Sequence, residues 1–409
     1  MTKNDHLKII HVCQYYNEGY GYQENLLPRY QAKLGHKVMV ITSDRMSYFS
    51  GGKDPKIVGS GEFEDNGIRI LRLPIKTELK GRFVVFNNLY DILKREKPDY
   101  IFHHGLISPS IKTVCKYKKK NPSTFLVADN HADLDNSARN PLWRLSYYRI
   151  YSTFRLKKCI NYIDLVFGVT PARCYFAENE LGIPHDLIRL LPVGADEFTV
   201  KEHLEKKDFL DNNYNNINNK LKVVTGGKWS EGKGLKELIS AVQDLNVELQ
   251  IFGKLDDSYT KNIIEQAPNN VTFLGWQDRI GTLRLLASAD VAVWPKLHTT
   301  LVEDAIATKT PLILRYQGNT SHHIRENGVY LFTGTSIEIR QILDILSNSE
   351  NLINKMKENS KKQLDLLSYK RIAKESIEYY YDKSAKTTHE VFMNDPLCNP
   401  SNRDFHKLS

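Results

Sequence analysis

The stretch GGKWSEGKG, residues 226–234, sets Lys228 and Lys233 in a glycine-rich turn. A β-branched run, LKVVT, precedes it and a helical pattern, LKELISAVQDL, follows. Glycines such as Gly227 let backbone amides approach an anion, and a helix start adds its dipole. Lys228 and Lys233 would then close on two phosphates. An ordinary tight turn with solvated lysines has the same composition. Residues 227–233 also fit G-x-x-x-x-G-K, but Gly234 stands where a P-loop needs Ser or Thr to hold magnesium.

A second stretch, WPKLHTTLVEDAIATKTP, residues 294–311, carries an apolar strand into Pro295, then a polar loop, then a helix. Thr299, Thr300 and Leu301 would present backbone amides at that helix start, a second anion cradle. Glu303 falls in the first helical turn, where the dipole favours any carboxylate. Its two acceptor oxygens also match a ribose diol. No acid lies between Asp290 and Glu303, and His298 sits in the gap. Arg315–Asn319 follows another strand and is either a pocket wall or a surface turn. His103-His104, His322-His323 and Asp256-Asp257 read as surface or loop features, and Glu231 as solvated.

Short β-branched runs alternate with amphipathic ones in both halves, the rhythm of parallel sheets. The expected fold is α/β, with two Rossmann-like domains whose parallel sheets face a cleft. Residues 1–197 would form the N-terminal Rossmann-like domain. Residues 198–220, rich in charge and asparagine, read as a linker or insert. Residues 221–370 would form the C-terminal Rossmann-like domain, 371–386 a C-terminal helix packing back on the first domain, and 387–409 a weakly ordered tail.

With 409 residues, 41% hydrophobic and 26% charged, the chain is long enough for two cored domains. No apolar run spans a membrane and no signal-peptide core begins the chain, so the expected location is cytoplasmic. The five cysteines lack metal spacing and fit free thiols. The net charge of +9 favours an anionic partner, but no recognition motif accompanies it, so nucleic acid is not expected. No acid occurs between Asp135 and Asp164, while Arg139, Arg144, Arg149, Arg155, Lys157 and Lys158 do. Aromatics including Tyr148 interleave them. This segment is either a helix with aromatics in the core and cations in water, or a face for an anionic membrane. Arg144, Tyr148, Arg149 and Arg155 are its candidate acceptor-side or membrane-side residues.

An ordered series of segments resembles retaining glycosyltransferases of family 4, which have the GT-B fold. GYGYQE (residues 19–24), LGHKVMVIT, VADNHAD and LLPVGAD resemble that family's N-terminal glycine turn, G-H-x-V strand, histidine-ending strand and P-N-G-V-D. GGKWSEGKG, VTFLGW, the SAD before VAVWP, and VEDAIATKTPLIL resemble its Arg/Lys–five–Lys signature, FLG, AD and E-A-x-x-x-G-x-P-V. The match runs over most of residues 7–335.

By that resemblance, residues 1–197 are the acceptor-side domain and 221–370 the nucleotide-sugar-binding domain, where Lys228 and Lys233 bind a donor diphosphate and stabilise the leaving group. Glu303 binds the ribose, and Thr299, Thr300 and Leu301 contact phosphate. Gly21 lets its loop reach the pyrophosphate. His131 contacts the transferred sugar; His104 is a weaker carry-over. The implied reaction moves a sugar, with retention, from a nucleotide sugar (a UDP-sugar) to a lipid-linked or growing saccharide in cell-surface glycan synthesis. It involves no cofactor or metal, and it places the protein peripherally at the inner membrane face. The chain departs from the pattern in three places. The first of two family glutamates is missing, with His298 near its space. Tyr22 replaces the second glycine of the N-terminal turn, and Lys309-Thr310 replaces the glycine before Pro311. A binding protein that has lost catalysis, and a P-loop NTPase, are the alternative readings.

Overall fold

The structure, a computed structural model, describes residues 6–47, 56–79, 83–135, 137–204, 220–296 and 298–399. They fall into two compact units: residues up to 192 together with 369–399, and residues 193–368.

The first unit is built on an eight-stranded sheet. Its strands are β1 (Lys8–Val12), β2 (Lys37–Ser43), β3 (Gly61–Asp65), β4 (Ile68–Leu73), β7 (Tyr100–His103), β8 (Phe125–Asn130), β9 (Leu165–Gly168) and β10 (Ile188–Leu190). β5 (Ile75–Leu79) and β6 (Phe83–Phe86) form a separate hairpin. The sheet order is β10-β9-β8-β7-β1-β2-β4-β3. Every pairing is parallel except β3 with β4. Strands covered on both faces read as unbroken apolar runs, which is why YIFH and LVFG are legible; both are buried at every residue. β3 is an edge strand whose polar sequence hides it. The signal lies in its turn: Asn66 and Gly67 have φ of 50° and 78°, the left-handed pair a two-residue hairpin needs.

The second unit has a six-stranded, all-parallel sheet: β11 (Leu221–Trp229), β12 (Val247–Leu255), β13 (Val271–Phe273), β14 (Val291–Trp294), β15 (Leu312–Arg315) and β16 (Gly328–Leu331). Its order is β13-β12-β11-β14-β15-β16. Lateral growth therefore reverses between β11 and β14, as it does between β1 and β7 in the first unit. Such switch points are where open parallel sheets bind ligands.

Three boundaries differ from the sequence reading. The first unit ends at Pro192, because Ala195 already pairs with the second unit: its amide donates to the Leu367 carbonyl at 2.7 Å. The expected insert begins as a helix, Glu197–His203, capped by Asp196 and burying Thr199 and Val200; residues 205–219 lie outside the described residues. The expected tail is packed as far as 399, with His389, Leu397 and Cys398 buried in the first unit. The helix Tyr369–Tyr381 also belongs to that unit. Tyr369 stacks on Tyr30, and the Tyr100 hydroxyl donates to the Ser376 carbonyl at 2.6 Å. All five cysteines are buried and free.

Lys309 has φ of 61°, the conformation the family's glycine would supply without strain. Nearby, Arg279 holds two buried carboxylates, Asp304 at 2.5 Å and Asp196 at 3.5 Å. Arg279→Ala strands both charges. It should destabilise the second unit by about 3–5 kcal/mol, read as an earlier denaturant midpoint for that unit.

Candidate functional site

β11 and β14 pair only through Val223–Val291 and Val224–Ala292. Beyond that register they part, and side chains bridge the opening. The Thr225 hydroxyl donates to the Val293 carbonyl at 2.6 Å, and the Trp294 indole donates to the Gly226 carbonyl at 2.9 Å. A side chain at Gly226 would strike the Phe252 ring, 2.2 Å away, so this strand end admits only glycine.

Lys228 lies at this end of β11, in register with Lys254 of β12. Partial burial lowers its pKa, against the pull of Asp256. The Lys233 ammonium turns back to donate to the Lys228 carbonyl. Asp257 accepts the Glu231 amide at 2.9 Å and the Thr260 amide at 2.8 Å, so it both caps the next helix and anchors the lysine loop. Glu231 and Asp256 are exposed, as the sequence reading had them. Gly234, with φ of 84°, precedes the helix Leu235–Val242 and lies against Pro295. The lysine loop thus abuts the loop leading to Glu303. A Ser or Thr at Gly234 would be strained in this left-handed conformation, which argues against the P-loop reading.

The helix Leu301–Ala307 begins directly after β14's loop. Thr299, Thr300 and Leu301 form its half-exposed start, where amides have no intrahelical acceptor. Glu303 and Asp304, adjacent in sequence, face different partners. Asp304 is paired with Arg279. Glu303 is 3% exposed, and its Oε1 lies 3.0 Å from His298 Nε2 and 3.1 Å from His323 Nε2. Burial would raise the Glu303 pKa; His298 and His323 outweigh it and hold the carboxyl well below the usual range. Its Oε2 is buried and has no partner among the described residues. His298 therefore packs on Glu303. Counting back from Pro311 by E-A-x-x-x-G-x-P puts Asp304, not Glu303, at the family glutamate, but Asp304 is taken by Arg279, whereas Glu303 keeps a buried oxygen with no partner among the described residues. Farther along, the Gln317 amide ties the strand-β15 loop to the Lys296 carbonyl at 3.2 Å.

A second polar cluster occupies the first unit's switch point. His131, just beyond β8, is partly exposed, with Nε2 3.2 Å from Asp129 Oδ2. That oxygen also faces His104 Nδ1 at 2.9 Å, and Asp129 Oδ1 accepts the Gly105 amide at 2.6 Å. Glu24, on the helix Gln23–Lys33, has its pKa raised by burial, against the attraction of His104. Gly21 is half-buried in the loop before that helix, where Tyr20 and Tyr22 stack at 5.3 Å. The two lysines and Glu303 lie in the second unit; Gly21 and His131 lie in the first.

The histidine pairs are not surface features. His103, His322 and His323 are fully buried and His104 nearly so. Successive strand residues face opposite sides. His103 accordingly meets Ser110 at 2.8 Å while His104 meets Asp129. Asp129, missed by sequence, is an internal acid whose role only the strand register reveals. The donor atoms of His104, Asp129 and His131, and those of His298, Glu303 and His323, each lie within 4.8 Å of one another. That spacing suits shared protons in the first trio and shared protons or a divalent cation in the second.

The proposed membrane residues are also placed differently. Arg144 and Arg149 both chelate Glu180, whose side chain is 1% exposed. Tyr148 is buried against Phe176, and Arg155 is buried with its guanidinium over Tyr151. Glu180 lies outside the acid-free window, so local charge counting missed it. What the segment exposes is Leu142, Leu145, Ile150, Tyr151 and Phe154, with Lys157 and Lys158. Among the described residues no helix is long and apolar enough to cross a membrane.

Two parallel-sheet units, each gathering polar groups where strand order reverses, make a GT-B fold. Two family descriptions match in tandem: "Glycosyltransferase Family 4" over residues 26–197 and "Glycosyl transferases group 1" over 206–363. The chain is a glycosyltransferase of the GT-B type. Its fold resembles HepE from Anabaena in complex with UDP and glucose, at 16% identity and TM-score 0.62, covering 92% of this chain and 100% of that one. It also resembles sucrose-phosphate synthase from Thermosynechococcus elongatus (15%, 0.62, covering 92% and 99%). An E. coli trehalose-6-phosphate protein bound with UDP-2-fluoro glucose is similar as well (11%, 0.64, covering 92% and 99%). No curated protein matches the chain.

Burial lowers the pKa of both His11 and His103 from 6.5 to about 3. Each stays neutral in the fold while the unfolded chain takes up a proton. The stability they confer is complete above pH 6.5 and is lost as pH falls toward 3. The pair should cost up to about 2.7 kcal/mol per pH unit in that window. Denaturant titrations of the His103→Gln variant should show a shallower acid slope.

Proposed function

We propose that the protein transfers a sugar from a UDP-linked donor to a saccharide or lipid-linked acceptor, with retention at the anomeric carbon. The observation that carries this reading is the Oε2 of buried Glu303, which has no partner among the described residues, beside a lysine loop at a switch point. A buried carboxylate oxygen without a donor is costly. A ribose hydroxyl would satisfy it. The diphosphate would lie toward Lys228, Lys233 and the amides of Thr299–Leu301. Breaking the sugar–phosphate bond puts negative charge on the leaving diphosphate, and cations fixed beforehand stabilise it. In the first unit, His131 serves a sugar hydroxyl. The acceptor hydroxyl loses its proton late, to the departing phosphate, so the scheme uses no covalent nucleophile and no metal. HepE's UDP complex supports the choice of nucleotide.

The acceptor side rests on the exposed apolar ridge of Leu145, Ile150 and Phe154, flanked by Lys157 and Lys158. Its chemistry suits an anionic lipid surface, consistent with a peripheral enzyme at the cytoplasmic face building cell-surface glycans.

Glu303→Gln should weaken UDP binding by about 1–3 kcal/mol, roughly 5- to 150-fold by calorimetry, while Asp304→Asn acts mainly on stability. Lys228→Ala and Lys233→Ala should each cut donor turnover by about 100-fold with little change in melting temperature. UDP binding equal to the parent's in Glu303→Gln would refute the ribose assignment. UDP binding without turnover of any nucleotide sugar would favour the inactive-binder reading. An Ile150→Glu, Phe154→Glu variant should lose at least about tenfold in cosedimentation with phosphatidylglycerol vesicles, given the worth of two buried apolar side chains; undiminished cosedimentation would remove the membrane role.

A further inference from the structure

Behind His131 a line of polar groups runs through the first unit to the helix Tyr369–Tyr381. Its hydrogen-bond directions can be assigned from one end. The Ser376 hydroxyl lies 2.7 Å from the Ala373 carbonyl, which can only accept, so the single Ser376 proton is committed there. The Ser376 oxygen must then accept from Gln31, whose Nε2 is 2.9 Å away. That orients Gln31 with Oε1 toward His11 Nε2, at 2.7 Å, so His11 donates from Nε2. Burial and the neighbouring His104 push the His11 pKa down to about 3, which leaves its Nδ1 bare. His104 Nε2, 2.9 Å from that bare nitrogen, must donate to it. The other ring nitrogen of His104 faces Asp129 Oδ2 at 2.9 Å. Burial would raise the Asp129 pKa; the charge and hydrogen bond of His104 oppose it, and Oδ1 accepts the Gly105 amide, so the carboxylate stays ionised, an acceptor only.

We infer that this one-way chain holds His104 with a proton on each ring nitrogen, an internal imidazolium paired with Asp129, and that the pair directs the His131 proton to Nε2. With that proton facing Asp129, His131 offers Nδ1 as an acceptor. It would take a hydrogen bond from a saccharide hydroxyl and would not donate one to a phosphate oxygen. His104, His11, Gln31 and Ser376 are positioning residues that act through Asp129. The charged and titratable groups around His104 are His11 on β1, His103 on β7, Asp129 and His131 at the end of β8, and Glu24 on the first helix. The link to sugar rests on the proposed function; the protonation pattern does not.

Nitrogen-15 NMR of the full chain labelled at histidine tests it. The expected spectrum at pH 7.5 has one doubly protonated ring, absent in His104→Gln, and His131 protonated at Nε2. A singly protonated His104 ring overturns the inference. Ser376→Ala, which leaves the ring residues in place, frees Gln31 to turn; His104 should revert to one proton, and persistence of the doubly protonated ring refutes the anchor. In an active preparation the same variant should lose about tenfold in donor turnover with UDP affinity unchanged. Unchanged turnover despite a reverted ring refutes the coupling to His131. If the parent turns over no nucleotide sugar, the proposed function fails, and the spectra still decide the protonation pattern.

Discussion

Where a parallel sheet reverses its direction of growth, two neighbouring strands send their connections to opposite faces, and their carboxyl ends must come apart. That constraint organises both units. In the second it opens β11 from β14 after two paired residues, so that Thr225 and Trp294 must hold the strands together with side chains. In the first it brings the ends of β1, β7 and β8 around one buried acid. Polar groups can collect at these places because the backbone there no longer satisfies itself.

The sheet strands were largely legible because a strand buried on both faces needs apolar residues throughout, as in the runs VMVITS and LVFG. β3 was not, since its edge position requires no such run. The lysine loop and Glu303 were visible through glycines and a helix start, both local features. Asp129, Glu180 and the interior places of His103 and His323 were invisible, because each is defined by a partner far along the chain or by which side of a strand it faces. The C-terminal residues 387–399 misled for the opposite reason: without a long apolar run, they bury only a few side chains, His389, Leu397 and Cys398 among them.

Both sites share one device. A carboxylate is taken almost fully out of water and given histidines for company, and one of its oxygens serves two imidazoles. Isolated, such a charge would be prohibitive. With two rings arranged around it, the charge stays and its direction is fixed. Rigid orientation of this kind is what a transfer reaction needs, since stabilisation must be in place before charge develops.

The return of residues 369–399 to the first unit has a bearing on biosynthesis. Domains made on the ribosome ordinarily close in order of emergence. Here the first must wait for Tyr369, Ser376 and their neighbours, made only after the whole of the second. At 5–20 residues per second, the interval from residue 192 to 369 is on the order of 10–40 s. Through that time the places of Tyr30, Tyr100 and Gln31 stand uncovered on the nascent chain, a natural foothold for a chaperone.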